Sequence, residues 1–336
     1  MVRACARWIV PHRDRPPRAG VVLVNWNTSD LTRACIQSLN AGLRTPDLIV
    51  VVDNGSSEDL TAMVGAGPPG LELIANRENV GFAGANNQGL SRLLDAGMDY
   101  LWILNNDTWV KDDCLAVLLD VAERHPEGAC FSGKIYYERP PDRIWYAGGW
   151  RHPVHCAPKH YVDDRLDGRA RDGVVDVEFI SGCSMFVRRE VLERFGGFLW
   201  DYCAYSEDNE WCWRLRKAGQ RLMYVPAAVL RHRLSASVRR NAIRASRAAI
   251  PERAYFLMVR NNLWTVRQHV DSRVRRVLVL LVSVGLACKV ALLCLARGEW
   301  RQAGAVARAA VLGLALRVPS DRSWSRPVPG AGEACS

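Results

Sequence analysis

Three short apolar runs constrain this chain most: Val21–Val24, Leu48–Val52 and Tyr100–Leu104. Each breaks off at a polar cluster, Asn25-Trp26-Asn27, Asp53-Asn54-Gly55 and Asn105-Asn106-Asp107. Uninterrupted apolar runs of this length suit strands buried on both faces, as in a parallel sheet covered by helices. Helical spacing lies between them. Asn27-Thr28-Ser29-Asp30 supplies N-cap chemistry ahead of Leu31, Ala34, Cys35, Ser38 and Leu39, and Gly84–Ala96 and Asp112–Arg124 read as further helices. Leu71–Ile74 adds a strand. The alternation predicts an α/β fold, a mostly parallel sheet flanked by helices. Ligands of such sheets sit beyond the carboxyl ends of the strands, so the three polar clusters are expected to meet on one edge.

From about Ala129 the pattern changes. Trp145, Gly148, Gly149 and Trp150 suggest hairpin and loop structure, and Val174–Phe179, Ser184–Val187 and Arg221–Val225 read as strands. Glu207–Ala218 is a predicted helix, and Ile250–His269 an amphipathic one. Val277–Ala296 is an apolar run interrupted only by Lys289 and flanked by Arg273, Arg275, Arg276 and Arg297; a weaker apolar stretch covers Ala303–Val318. The Arg- and Pro-rich start has one apolar run, Trp8–Val10, too short for a signal peptide, and reads as a loose arm. The expected division is therefore a flexible arm over 1–20, a main α/β domain over 21–248, membrane-associated helices over 249–318 and a disordered tail over 319–336.

Charge is concentrated. The chain of 336 residues carries a net +10, and Arg231–Arg276 alone holds twelve arginines, no lysine and two acids, a surplus equal to the whole net charge. A localised basic stretch implies a phosphate-bearing partner or an anionic membrane surface. Eleven cysteines, an odd number without a CxxC pair, read as reduced thiols in a cytoplasmic setting.

Several polar residues stand where chemistry is expected. Asp107, an acid at a strand end beside two amides, suits a divalent cation that also holds phosphate oxygens, although Asn and Asp also build turns. Asp53 could accept hydrogen bonds from a nucleobase or ribose, or belong to an Asn-Gly turn. Asn79-Val80-Gly81-Phe82-Ala83-Gly84-Ala85-Asn86 opens a helix with small residues, which suits either phosphate approach or tight packing. Glu207-Asp208 starts a helix; one acid can cap it while the other faces a cleft as a general base. His232 lies between Arg231 and Arg233. His152, His155, Cys156 and His160 cluster, but at no strong zinc spacing.

Taken together these motifs resemble the family 2 glycosyltransferases of GT-A (Rossmann-like) fold, and most of all their bacterial rhamnosyltransferase-like branch. The resemblance runs from about Val21 to Trp264. It rests on Val24-Asn25-Trp26-Asn27, Val51–Ser56, Asn79–Gly84 with Asn86, and Leu104–Asp107. Further on it rests on Ser181–Arg188, Ser206-Glu207-Asp208 with Trp213-Arg214-Leu215, Tyr224-Val225-Pro226 and Arg260-Asn261-Asn262.

It implies that Asp53 contacts the donor nucleobase, that Asn27, Asn79, Gly81, Asn86, Asn105 and Asn106 line the nucleotide-sugar site, and that Asp107, with His232, binds Mg2+ or Mn2+ at the diphosphate. Asn105 replaces the first acid of the family's DxD-type motif. Asp208 would be the general base and Glu207 its neighbour. The implied reaction is inverting transfer of a sugar, rhamnose among the candidates, from a dTDP- or UDP-sugar. The acceptor would be a glycan or lipid-linked glycan in cell-surface polysaccharide biosynthesis.

A non-catalytic nucleotide-sugar-binding or scaffold protein would keep the same fold. A nucleic-acid binder would explain the arginines but not acids at strand ends, so no nucleic-acid partner is expected, and a dinucleotide oxidoreductase needs a better glycine fingerprint. Arginines beside an apolar run fit an anionic membrane surface. The expected location is the cytoplasmic face of the plasma membrane, peripheral or monotopic, with Lys289 snorkelling to the headgroups.

Overall fold

The computed structural model describes residues 14–61, 69–161, the backbone of 165–166, 173–233 and 251–319. Strand β1 (Ala19–Asn25) lies between β2 (Leu48–Asp53) and β4 (Tyr100–Asn105) and is parallel to both, with β3 (Leu71–Ala75) parallel beside β2. Val21, Val22 and Leu23 are wholly buried, as a strand covered on both faces requires. Helices α1 (Ser29–Asn40) and α2 (Gly81–Asp95) follow β1 and β3. α2 lies so close to β1 that a methyl group at Gly89 would come within 2.4 Å of Val22 Cγ1.

The chain continues through β5 (Thr108–Val110), α3 (Cys114–Arg124), β6 (Gly128–Tyr137), β7 (Arg143–Tyr146), a small hairpin of β8 (Gly149–Arg151) and β9 (Pro158–His160), then β10 (Arg165–Leu166) and β11 (Val175–Val177). Next come β12 (Ser184–Arg188), α4 (Arg189–Phe195), α5 (Glu207–Lys217) and β13 (Arg221–His232). The main sheet runs β10-β7-β6-β12-β4-β1-β2-β3, with β13 pairing β11, β5 and β6. β12 enters between β4 and β6 antiparallel to both, so the sheet is mixed, parallel on the β4-β1-β2-β3 side. Apolar runs report burial rather than strand direction, which is why the sequence does not announce this reversal.

β13 is longer than its apolar run, Arg221–Val225, suggests. A register shift between Val225 and Val229 absorbs Pro226, and the strand then resumes along β6 and β5. That extension sets His232 opposite Thr108.

Arg188, buried at the end of β12, fastens three elements. It donates to the Gly128 carbonyl at 2.7 Å, the Tyr100 hydroxyl at 2.8 Å, the His125 carbonyl at 3.1 Å and the Ala122 carbonyl. Its charge is thereby solvated by the protein, the condition for burying a guanidinium.

Three helices close the described chain: α6 (Glu252–His269), α7 (Arg273–Ala296) and α8 (Trp300–Ala315). α8 packs small residues on α6; a methyl group at Gly313 would meet Leu263 Cδ1 at 2.8 Å. α7 buries only the stripe Val279, Ser283, Ala287 and Cys294, while Leu278, Leu281 and Leu292 stand about 60% exposed, at 58%, 64% and 66%. It is the one helix among the described residues long and apolar enough to cross a membrane. Cys203 is disulfide-bonded, against the expectation of reduced thiols throughout, while the other described cysteines are free. Pairing depends on proximity in the fold, which scattered spacing does not reveal. Residues 1–13, 234–250 and 320–336 lie outside the described residues. They take in much of the expected arm, nearly all of the expected tail and most of the first half of the arginine-rich segment.

Candidate functional site

The parallel register brings the polar strand ends together. Asn25 aligns with Asp53, and Val24 with Asn105. Asp53 is buried; its Oδ1 accepts from the Ser56 hydroxyl at 2.5 Å, the Ser56 N–H at 3.3 Å and Asn25 Nδ2 at 3.4 Å. Asn27, in left-handed conformation at φ 53°, accepts from the Ser57 N–H at 2.8 Å and hydroxyl at 3.0 Å. Asn106 Nδ2 donates to the hydroxyls of Thr28 and Thr32, both at 2.8 Å, and the Thr32 hydroxyl donates to Asn25 Oδ1 at 2.7 Å. Thr28 occupies the cap position of α1 but makes no cap bond; its hydroxyl serves this network instead. Asn25, Thr32 and Ser56 are polar partners that the sequence reading gave no role, and the Thr28/Thr32 pair, one helical turn apart, was the available signal.

Asn79, Gly81 and Asn86 form a second group. Asn54 bridges it to β2, donating to Asn79 Oδ1 at 3.1 Å and accepting from the Val80 N–H at 2.9 Å. Asn79 Oδ1 also accepts from the Gly81 N–H at 2.9 Å, and Gly81 sits at φ 83°, where a side chain would be strained. Asn86 is buried and donates back to the Phe82 carbonyl at 2.9 Å within α2. These side chains are engaged in shaping the loop.

Beyond β4, the Asp107 carboxylate and His232 Nε2 are 2.9 Å apart, both side chains almost fully buried. Asn105 Nδ2 is 3.5 Å from the same nitrogen, and Asn105 Oδ1 is buried with no hydrogen-bond partner among the described residues. The Trp145 ring stands edge-on to His232 at 4.7 Å. Burial works against an imidazolium here, but Cys183 and Asp107 more than offset it and hold His232 well above the usual histidine range. One carboxylate, one imidazole and a free amide oxygen fit a divalent cation that draws its other donors from a bound anion. No group of three or more His, Cys, Asp or Glu among the described residues could hold a metal by itself. The His152/His155/Cys156/His160 cluster is thereby dismissed as a metal site: His160 Nδ1 is 2.7 Å from the Trp145 carbonyl, the His152 and His155 rings stack on one another, and Cys156 packs with Val266, Val270 and Val279.

Asp208 reaches the same edge through β12. Its Oδ2 accepts from the Gly182 N–H at 2.9 Å and its Oδ1 from the Asn209 N–H at 2.7 Å. Burial lifts the Asp208 carboxyl above its usual range, and the two backbone bonds only partly offset that. Glu207 is more extreme: burial first, then the neighbouring Asp208, push it well above the carboxylate range, and its Oε2 has no hydrogen-bond partner among the described residues. Neither acid caps α5, whose cap position is Ser206 in left-handed conformation. Glu210 is the contrast. Burial opposes its charge too, but Arg214, at 3.0 Å, and His269, at 3.1 Å, hold it below the usual range.

The profile of glycosyl transferase family 2 matches residues 20–196, over half of the chain. The chain belongs to glycosyl transferase family 2. Among its relatives is the N-acetylglucosaminyl-diphospho-decaprenol L-rhamnosyltransferase of Mycobacterium tuberculosis, 26% identical over 268 residues, 73% of this chain and 85% of the relative. Galactofuranosyltransferase GlfT1 of the same organism is 31% identical over 107 residues, 31% of this chain and 35% of the relative. A crystal structure of GalNAc-T7 with UDP, GalNAc and Mn2+ matches with a TM-score of 0.55 at 18% identity, covering 74% of this chain. The chain spans about half of that structure, 48% of its length, and the likeness speaks to the fold. The glycosyltransferase thus carries the GT-A-like α/β fold that its motifs imply, and its likeness to a rhamnosyltransferase extends over most of the chain.

The Glu207 environment gives a stability prediction with a definite sign. Its folded-state pKa is raised, so between the unfolded and folded values the folded state binds more protons and stability falls as pH rises. At neutral pH burying Glu207 is therefore a cost, which is absent below the unfolded value of about 4.3. Glu207→Gln should raise Tm at pH 7 by about 1–2 °C, the shift of roughly 1 kcal/mol in a protein of this size. The gain should vanish at pH 4. Equal Tm for both proteins across the range would show that Glu207 is not strained by burial.

Proposed function

We propose that this glycosyltransferase moves a sugar, with inversion, from a dTDP- or UDP-sugar to a hydroxyl of a lipid-linked glycan in cell-wall polysaccharide synthesis. Rhamnose is the favoured sugar, because the rhamnosyltransferase relative aligns over most of both chains. The observation that carries the mechanism is the Asp208 carboxylate, fixed by the Gly182 N–H on the edge where Asp107 and His232 stand. Asp208 takes the proton from the acceptor hydroxyl, and burial gives its carboxylate the basicity for that task. The hydroxyl oxygen attacks the anomeric carbon, and the nucleoside diphosphate leaves from the opposite face. Glu207 is the buried neighbour of Asp208, held well above the carboxylate range by burial first and by the Asp208 charge second. Asp53 and Asn27, with the Asn25–Asn106 network behind them, receive the nucleoside, and the Asn79–Asn86 loop lies against the donor.

Asp107 and His232 would hold a divalent cation, Mg2+ or Mn2+, with the free Asn105 oxygen beside them. When bound, the cation supplies positive charge to the leaving diphosphate. The buried imidazole favours Mn2+ over Mg2+.

For location, we propose the cytoplasmic face of the plasma membrane, with residues 21–248 as the catalytic part and 249–318 as the membrane-associated part. The outward leucines of α7 would enter the inner leaflet, and Arg273, Arg275 and Arg276 would meet anionic headgroups. Lys289 is exposed on the same helix and can snorkel.

Asp208→Asn should lower kcat by ~10²–10⁴-fold while leaving the Kd for the nucleotide sugar nearly unchanged. Turnover close to that of the parent would remove Asp208 from the role of base. Asp107→Ala should weaken nucleotide binding in Mn2+ far more than in EDTA, as read by calorimetry. Equal losses in both would make Asp107 structural. Replacing Leu278, Leu281 and Leu292 together by Glu should release the protein from phosphatidylglycerol-containing vesicles in a sedimentation assay. Each buried leucine is worth roughly 1.5–3 kcal/mol, so the partition should fall by at least ~10³-fold with nucleotide binding intact. Unchanged sedimentation would overturn the membrane reading.

A further inference from the structure

Asp208 is preceded by a backbone segment in an unusual conformation. Cys203, Tyr205 and Ser206 all have positive φ, at 61°, 66° and 66°. Residues with side chains avoid this region, and a run of three within four positions persists only when its surroundings enforce it.

The turn is anchored at Cys203 by its disulfide and by the Ala83 N–H, which donates to the Cys203 carbonyl at 2.9 Å, and along its length it is gripped by one amide. Asn261, wholly buried on α6, points its Nδ2 at three carbonyls of this turn: Tyr202 at 2.8 Å, Ala204 at 2.9 Å and Tyr205 at 2.7 Å. The other end of the amide is also committed, since Asn261 Oδ1 accepts from Arg260 Nε at 3.0 Å. Arg260 has no acceptor to offer, so this bond fixes which end of the amide faces the turn. Arg260 also donates to the Asp201 carbonyl at 3.0 Å.

The grip continues along one stripe of the helix. Thr265, one turn after Asn261, meets the Tyr202 hydroxyl at 3.1 Å, and His269, one turn further, meets Glu210 of α5 at 3.1 Å. All three are buried. The stripe therefore holds both sides of the Glu207-Asp208 pair, the turn before it and the helix after it.

We propose that Asn261 is a positioning residue for Asp208: its amide clamps the 202–206 turn in the left-handed conformation that starts α5 where the Asp208 carboxylate meets the Gly182 N–H. The catalytic consequence rests on the reading of Asp208 as base. The placement itself does not, and the two can be tested apart.

The Gly182 amide reports placement directly, because its hydrogen is bonded to Asp208 Oδ2. Amide hydrogen exchange should be followed in full-length protein for Asn261→Ala, for the milder Asn261→Ser, which keeps one donor, and for Asp208→Ala, which removes the acceptor. Both Asn261 variants should speed exchange at Gly182 and across 203–208 by about tenfold or more, approaching Asp208→Ala, while the amides of β1 and β2 keep their protection. Kinetics then use dTDP-rhamnose and a short-chain N-acetylglucosaminyl-diphospholipid. Asn261→Ala should lower kcat about 10²-fold with the donor Kd unchanged, and should add little in an Asp208→Asn background.

Unchanged Gly182 protection would overturn the proposal, as would a slowing of equal size in both backgrounds. Loss of folding in both Asn261 variants would also overturn it and make the residue structural. If Asp208→Asn alone turned over normally while Gly182 exchange responded as described, the base assignment would fall and the clamp would stand.

Discussion

Everything at the site hangs on β1 being hydrogen-bonded in parallel to β2 on one side and β4 on the other. Parallel strands end at the same edge, so Asn25, Asp53 and Asn105 arrive side by side without any loop having to carry them there. The register is enforced by burial on both faces: a slip of one residue would send Asn25 or Asp53 into the core and a valine into the site. Close packing adds to this, since Gly89 of α2 admits Val22 at a distance no side chain would permit. The same edge then receives β12 and β13 from the other half of the sheet, bringing Gly182 and His232.

Buried charge is handled in two ways, and the difference separates scaffold from chemistry. Arg188 and the Glu210–Arg214–His269 group have their charged atoms matched by partners, and they join elements that are far apart in the chain. Glu207 and Asp208 stand within one turn of Glu210 on the same helix but form no ion pair among the described residues, and burial raises both. A carboxyl pair raised by burial costs stability, and it is on this pair that the proposed proton transfer draws.

The C-terminal helices serve two neighbours at once. α6 turns one stripe toward the turn before Asp208 and another toward α8, while α7 leaves most of its leucines facing outward. In the proposed reading, the surface offered to lipid and the turn before the Asp208 carboxylate are thus both braced from the C-terminal helices.

Much of this was legible in the chain. The runs Val21–Val24, Leu48–Val52 and Tyr100–Leu104 specify buried strands because only a doubly covered sheet accepts them, and the polar clusters that end them specify the edge. Glu207-Asp208 and Asp107 are visible as acids placed where helices and strands begin or end. The family motifs, read in order, implied the fold that the structure has. Other features depended on contacts between residues distant in sequence. The reversal of β12, the continuation of β13 past Pro226 to His232 and the disulfide at Cys203 follow from pairing, which local pattern does not encode. Asn261 was visible as part of the Arg260-Asn261-Asn262 motif, with no role attached to it. Only the folded chain sets its amide against three carbonyls more than fifty residues earlier. Local sequence decided which segments are strands and helices, because periodicity and burial are short-range properties; tertiary structure decided which polar atoms face one another, because that depends on how those segments are brought together.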